Sequence, residues 1–222
     1  MKRKSGFLVV ACLSGAAAGA IVGVVVDAAA TVAGVHSAAG AQTRDYEALS
    51  KEIYAELIAF RSTADMPENV KAAAEAIQRR LVDAGFAAED VQIVSPDPEL
   101  GSVVARFRGQ APGGGPPVKE PVMLMAHIDV VDALRSDWEF EPFELREIDG
   151  YFYGRGTDDN KAGIAHIVTS FIRLRDEGYV PDRDLIAVFT ADEETSSDSI
   201  KYLVRERRDL VESAFAINAD AG

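Results

Sequence analysis

Apolar residues recur every three or four positions in four stretches of the chain, and this spacing predicts amphipathic helices. The predicted helices cover residues 45–61, 67–84, 161–176 and 197–207. Gly85 and Gly178 follow two of them, and glycine at that place is a typical C-terminal helix stop. Helical segments therefore account for a large part of the chain beyond residue 44.

Five shorter stretches between these helices predict strands. Their residues are 91–94, 102–108, 121–126, 184–190 and 214–218. The third and fourth runs are almost continuously apolar, as in strands of a sheet that helices cover on both faces. Alternating helices and strands predict an α/β fold. Functional sites in such folds lie beyond the carboxyl ends of the strands.

The N-terminus has a different pattern. Lys2, Arg3 and Lys4 precede an uncharged run over residues 5–26, and the small residues 39–41 follow it. This order is typical of an export signal, while a run of 22 residues is also long enough to anchor the chain in a membrane. We therefore expect residues 1–41 to be a signal peptide or membrane anchor. Residues 42–222 then form the folded domain, in the periplasm or outside the cell.

Composition narrows the class of protein. The chain has 222 residues, 48% of them hydrophobic, and a formal charge of −13. This length supports one sizeable core, and the acidic balance argues against a nucleic-acid partner. Cys12 is the only cysteine; it lies in the N-terminal apolar run, where we interpret it as an ordinary apolar residue. The folded domain is thus expected to have no disulfide and no thiolate chemistry.

Candidate metal ligands follow the predicted strands. His127 and Asp129 come directly after the run 121–126, Glu193 and Glu194 follow 184–190, and Asp220 follows 214–218. Imidazole and carboxylate groups are the ligands of hydrolytic zinc centres. The first two groups also have simpler interpretations, a surface histidine with a turn aspartate and a solvated acidic loop, and Asp220 alone indicates little.

Asp159 lies in a glycine-rich stretch, residues 154–161 (GRGTDDNK), just before a predicted helix. Its two carboxylate oxygens could bridge two cations, although an aspartate here is also a typical helix N-cap. Phosphate binding is disfavoured because the loop lacks a nucleotide-binding spacing and carries two adjacent acids. Of the neighbouring Glu193 and Glu194, one can bind metal while the other acts as general base.

Several motifs resemble those of the M20 family of metallopeptidases, which includes aminoacylases, carboxypeptidases, dipeptidases and deacylases. The similar segments, in order, are residues 125–131 (MAHIDVV), Trp138 with Pro142 and Phe143, residues 149–161 (DGYFYGRGTDDNK) and residues 190–194 (TADEE). The resemblance covers about residues 45–222. It implies a zinc-exopeptidase-like mixed sheet with helices on both faces, truncated before the lid domain of the family.

The resemblance also implies roles. His127 and Asp220 would bind one zinc ion, Glu194 a second, and Asp159 both. Asp129 would support His127, and Glu193 would be the general base toward metal-activated water. The implied activity is hydrolysis of peptide or N-acyl amide bonds, with peptides or N-acyl amino acids as substrates. A cis peptide bond is implied at Asp159–Asn160.

The sequence departs from the family pattern in length. Family members are about twice as long, and their remaining part carries the last histidine of the second zinc site and a lid with dimer contacts. The other histidines do not replace that ligand: His36 lies in the export segment, and His166 is expected in the core. We therefore expect an incomplete catalytic domain with an open strand edge, weak or no activity and an uncertain homodimer. The alternative is a non-catalytic remnant that binds metal or a partner.

Overall fold

The computed structural model describes residues 44–220. The predicted signal or anchor over residues 1–41 lies outside these residues and stays a prediction. Within residues 44–220, no helix combines the length and hydrophobicity needed to cross a bilayer. The elements in chain order are α1 Tyr46–Ala59, α2 Pro67–Asp83, β1 Val91–Val94, β2 Ser102–Phe107, β3 Val122–His127, β4 Arg146–Ile148, β5 Tyr151–Tyr153, α3 Lys161–Asp176, β6 Leu185–Thr190, α4 Asp198–Glu206, α5 Arg208–Val211 and β7 Phe215–Asn218.

A five-stranded mixed sheet organises the domain, in the order β1-β2-β6-β3-β7. Strands β1, β2 and β6 pair antiparallel, whereas β3 pairs parallel with both β6 and β7. Helices α1, α2 and α3 share the larger core with one face, and α4 and α5 share a smaller core with the other. The predicted α/β class and the helices on both faces are confirmed.

The helix and strand predictions agree with the structure to within one or two residues at most ends, but strands β4 and β5 and the short helix α5 were not predicted. Strands β4 and β5 form a separate antiparallel hairpin. Asp149 and Gly150 connect them with φ values of 52° and 82°. Asp-Gly is a strong signal for a hairpin turn of this kind.

Strand β7 is the least covered part of the sheet. It pairs only with β3, and all four of its residues are exposed. Phe215 and Ile217 are each 53% exposed. The expected open strand edge with uncovered apolar surface is therefore present in the described sheet.

Candidate metal centre

Parallel pairing brings three candidate residues to one edge of the sheet. His127 is the last residue of β3 and pairs with Thr190, the last residue of β6. The prediction ended β3 one residue earlier and placed His127 just outside it. Asn218 of β7 pairs with Met125, so Asp220 continues beyond β7 to the level of His127. Glu193 follows β6 on the same edge, as expected for carboxyl ends of parallel strands.

Contacts at both ring nitrogens orient the His127 side chain. Its Nδ1 lies 2.9 Å from the carbonyl oxygen of Asp129. Because a carbonyl oxygen only accepts hydrogen bonds, we assign the ring proton to Nδ1. The other nitrogen, Nε2, then faces Asp159 Oδ1 at 2.6 Å and Asp220 Oδ1 at 3.6 Å. This arrangement leaves Nε2 available as a metal ligand.

His127, Asp159 and Asp220 form a compact donor cluster. One ligand atom from each lies within 4.8 Å of the others. The histidine is buried, Asp220 is partly buried and the Asp159 side chain is 51% exposed, so the cluster opens to solvent on the Asp159 side. One imidazole nitrogen and two carboxylates are a ligand set that suits Zn²⁺. The residues present thus fit the metal that the motifs imply.

Asp129 lies on the other side of the ring and connects two loops. Its Oδ1 is 3.4 Å from His127 Nδ1. Its two carboxylate oxygens accept hydrogen bonds from the backbone N–H groups of Glu193 and Glu194, each at 3.0 Å. Asp129 is only 4% exposed, and this geometry agrees with a supporting rather than a ligating position. Such contacts orient ligands and fix the loops that carry them.

The three adjacent acidic residues after β6, Asp192, Glu193 and Glu194, have different surroundings. Asp192 is buried and accepts hydrogen bonds from the backbone N–H groups of Asp198 and Ser199 at the start of α4. Glu193 is exposed to solvent. Burial, and then the nearby Asp159 carboxylate, raise the pKa of Glu194 above its ordinary value. Glu194 is therefore the member of the triplet whose carboxylate is electrostatically coupled to the cluster.

The carboxylates also affect His127. Burial lowers the pKa of its ring, but the contacts with Asp129 and Asp159 outweigh burial and raise the pKa to about 9. Below this pKa the ring carries a second proton on Nε2, facing Asp159. A metal ion bound to Nε2 would replace that proton. The cluster is thus an electrostatic environment that favours positive charge on the Nε2 side of the ring.

The glycine-rich loop before α3 has an unusual backbone conformation around Asp159. The Asp159–Asn160 peptide bond is cis, as the family resemblance implies. Gly156 has a φ of +82°, and a Cβ built on it would lie 2.8 Å from Val130 Cγ1. Asn160, not Asp159, is the N-cap residue of α3, and it makes no capping bond through its side chain. The N-cap interpretation of Asp159 is therefore wrong.

Two further results concern residues outside the predicted set. His166 is exposed on α3, so its assignment to the core is wrong: the buried side of that helix includes Ile164, Val168 and Phe171 instead. Lys161 was not singled out, yet it is fully buried. Burial lowers the pKa of Lys161 to about 7, and the Asp129 carboxylate opposes this decrease. A buried lysine in a glycine-rich loop leaves little signal in a single sequence.

Comparison with solved structures defines the class of fold. The chain is similar to human carnosine dipeptidase 1, with a TM-score of 0.66, 22% identity and coverage of 79% of this chain and 40% of that one. It is also similar to Sso-CP2, an M20 family metallo-carboxypeptidase from Sulfolobus solfataricus, with a TM-score of 0.64, 18% identity and coverage of 78% and 37%. The fold is therefore that of M20-type metallopeptidases.

Sequence comparison shows which family part of the chain is similar to. Residues 123–222 match the model of Peptidase family M20/M25/M40, which confirms the resemblance carried by the motifs. The chain is 44% identical over 80 residues to the N-fatty-acyl-amino acid synthase/hydrolase PM20D1.1 of Danio rerio, which is 36% of this chain and 16% of that protein. It is 38% identical over 92 residues to a probable succinyl-diaminopimelate desuccinylase of Staphylococcus aureus, 41% of this chain and 22% of that protein. The matched parts thus span less than a quarter of these relatives.

Proposed function

We propose that this chain provides the metal centre of a zinc-dependent hydrolase that cleaves peptide or N-acyl amide bonds. The observation that carries the proposal is the cluster of three residues: His127 and Asp220 at the carboxyl ends of the parallel strands β3 and β7, and Asp159 from the loop before α3. The match of residues 123–222 to the M20/M25/M40 family supports the same reaction class.

In this proposal His127 and Asp220 would hold one zinc ion, Glu194 would hold a second, and Asp159 would contribute to both. The raised pKa of Glu194 supports its place beside Asp159, because two carboxylates close together favour a shared cation. When bound, the ions would supply Lewis acidity toward a carbonyl oxygen and lower the pKa of a nearby water.

Glu193 is the proposed general base. Its backbone N–H is held by Asp129 at 3.0 Å, while its side chain is exposed on the open edge of the site. In the proposed reaction its carboxylate takes a proton from the attacking water and passes it to the leaving amine. The reaction then breaks the C–N bond and yields a carboxylic acid and an amine.

The substrate class is proposed from the relatives. Their names refer to N-fatty-acyl amino acids and to a succinylated diamino acid, while solved neighbours include dipeptidases. An acyl group joined to an amino acid through an amide bond is common to these compounds. We therefore propose an N-acyl amino acid or a short peptide as the substrate.

The test uses Glu193→Gln, with Glu206→Gln as the matched control at an exposed glutamate of α4. Zinc content and hydrolysis of an N-acyl amino acid and a dipeptide are measured for the 222-residue chain. We expect Glu193→Gln to retain zinc and lose about 10²–10⁴-fold in turnover, the usual contribution of a general base. The control should keep both. Zinc binding without turnover in the wild type would instead favour the non-catalytic alternative.

A further inference from the structure

We propose that the segment after α1, residues 60–63, is a positioning element for the metal centre, although it carries no ligand. We call it the α1 exit segment. The inference rests on the proposed metal-dependent function and assigns to Ser62 and Lys161 a role in fixing the distance between His127 and Asp159. Neither residue contacts a reacting atom in this account.

The first contact of the α1 exit segment is with the loop after β3. Ser62 is fully buried, and its hydroxyl donates to the carbonyl oxygen of Ile128 at 2.8 Å. In return, the backbone N–H of Val130 donates to the carbonyl oxygen of Ser62 at 2.9 Å. These two bonds hold the backbone on both sides of Asp129. Asp129 O and Oδ1 face His127 Nδ1, so by holding Asp129 the two bonds also orient the His127 ring.

The second contact is with the loop that carries Asp159. The Lys161 ammonium group donates to the carbonyl oxygens of Leu57 at 2.9 Å and Phe60 at 2.7 Å. The two carbonyl oxygens also accept backbone N–H groups, from Phe60 and Ser62, and the partial negative charge at a helix C-terminus favours a cation there. Lys161 lies two residues after Asp159, so the end of α1 and the Asp159 loop are joined directly. Tyr54 adds a bond from its hydroxyl to Thr157 O at 2.6 Å.

The cost of burying an unpaired polar group makes the bonds of Ser62 and Lys161 important for this local structure. A buried hydroxyl or ammonium group costs free energy unless it is hydrogen-bonded, so Ser62 and Lys161 strongly favour the one arrangement that satisfies them. That arrangement fixes the β3 loop against Ser62 and the Asp159 loop against Leu57 and Phe60, so both loops are held by the end of α1 and the α1 exit segment. Metal ligands on separate loops need such support, because outer contacts commonly change metal affinity by about 10–100-fold.

The test compares Ser62→Ala and Lys161→Met with Gln78→Met as control. Gln78 also donates from its side chain to a backbone carbonyl, Val91 O at 2.7 Å, but β1 is at the opposite edge of the sheet from β7. Co²⁺ is the probe, because its visible absorption spectrum reports ligand geometry without any turnover. Hydrogen exchange of the Val130 and Glu193 amides is measured in the metal-free chain.

We expect Ser62→Ala to weaken Co²⁺ binding by about 10–100-fold, to alter the spectrum and to speed exchange at both amides. Lys161→Met should act in the same direction if it folds, and Gln78→Met should match the wild type. Unchanged affinity and spectrum in Ser62→Ala would overturn the positioning role. If the wild type bound no Co²⁺, the proposed function would fail, and amide exchange alone would decide whether the segment holds the two loops.

Discussion

His127 is 1% exposed and both of its ring nitrogens have partners, whereas Asp220, 3.6 Å from the same ring, follows a strand whose four residues are all exposed. The β3 side of the candidate metal centre, with the buried His127 and Asp129, is joined to the α1 exit segment through Ser62. The β7 side, with Asp220, is joined mainly to β3. One half of the site is thus fixed by the core, and the other depends on an edge strand.

The difference indicates how the site is built. Side chains with several buried partners are held in place before a ligand binds, which limits the ordering cost of metal binding. A ligand beyond an exposed strand end is less restrained, because edge strands with few buried contacts open more readily. We infer that affinity for a first metal ion depends on both sides but that its geometry is determined by the β3 side.

The largest expected effect is a difference in the free energy of unfolding between changes on the core side and changes on the β7 side. Phe171 of α3 is 1% exposed and stacks against Phe86 with ring centroids 6.0 Å apart, whereas Phe215 of β7 is 53% exposed. Phe171→Ala should lower the free energy of unfolding by about 3–5 kcal/mol, the usual cost of removing a buried aromatic side chain.

Phe215→Ala is the matched change on the β7 side and should cost less than about 1 kcal/mol, as for exposed positions. Urea denaturation of both variants measures the difference. Equal losses would show that β7 is packed as tightly as α3 and would remove the basis of the comparison.

A smaller effect concerns the bond between α1 and the Asp159 loop. Tyr54→Phe removes the hydrogen bond to Thr157 O and should cost about 1 kcal/mol near neutral pH. Burial raises the Tyr54 pKa to about 12, while the bond to Thr157 lowers it and Asp158 raises it further.

The sign of the pH effect follows from this raised pKa. An unfolded tyrosine ionises near its ordinary pKa of 10.0, so the folded state binds the proton more tightly, and its stabilising contribution is complete below that pH. The advantage is lost as pH rises from about 10 to about 12. Tyr54→Phe should lack this component in unfolding curves, whereas Tyr179→Phe, at an exposed position, should retain it. Identical pH profiles for all three proteins would contradict the burial of this hydroxyl.

The sequence predicted the main sheet because its strands are long apolar runs and its helices have clear periodicity. Parallel strand order then explains why His127 and Asp220 meet, although 93 residues separate them. The roles of Ser62 and Lys161 could not be predicted, since they depend on backbone carbonyl positions that no side-chain pattern encodes. The hairpin around Asp149 could have been recognised from its Asp-Gly turn.

His166 shows the opposite case. It lies in a predominantly apolar helix, and composition alone favoured the core. The structure places it on the exposed side of α3 because the buried stripe passes through neighbouring positions. The angular position of one residue on a helix decides its burial, so local apolar content is a weaker guide than periodicity.

If His127, Asp159 and Asp220 form a metal site, loss of one carboxylate charge should weaken metal binding, and zinc titration calorimetry of the 222-residue chain measures this loss. The comparison is the wild type against Asp159→Asn, which keeps the size of the side chain and removes its charge. We expect the wild type to bind zinc and the variant to bind it more than about 100-fold more weakly, beyond the loss typical of outer contacts. Equal affinities, or no zinc binding by a folded wild type, would contradict this expectation.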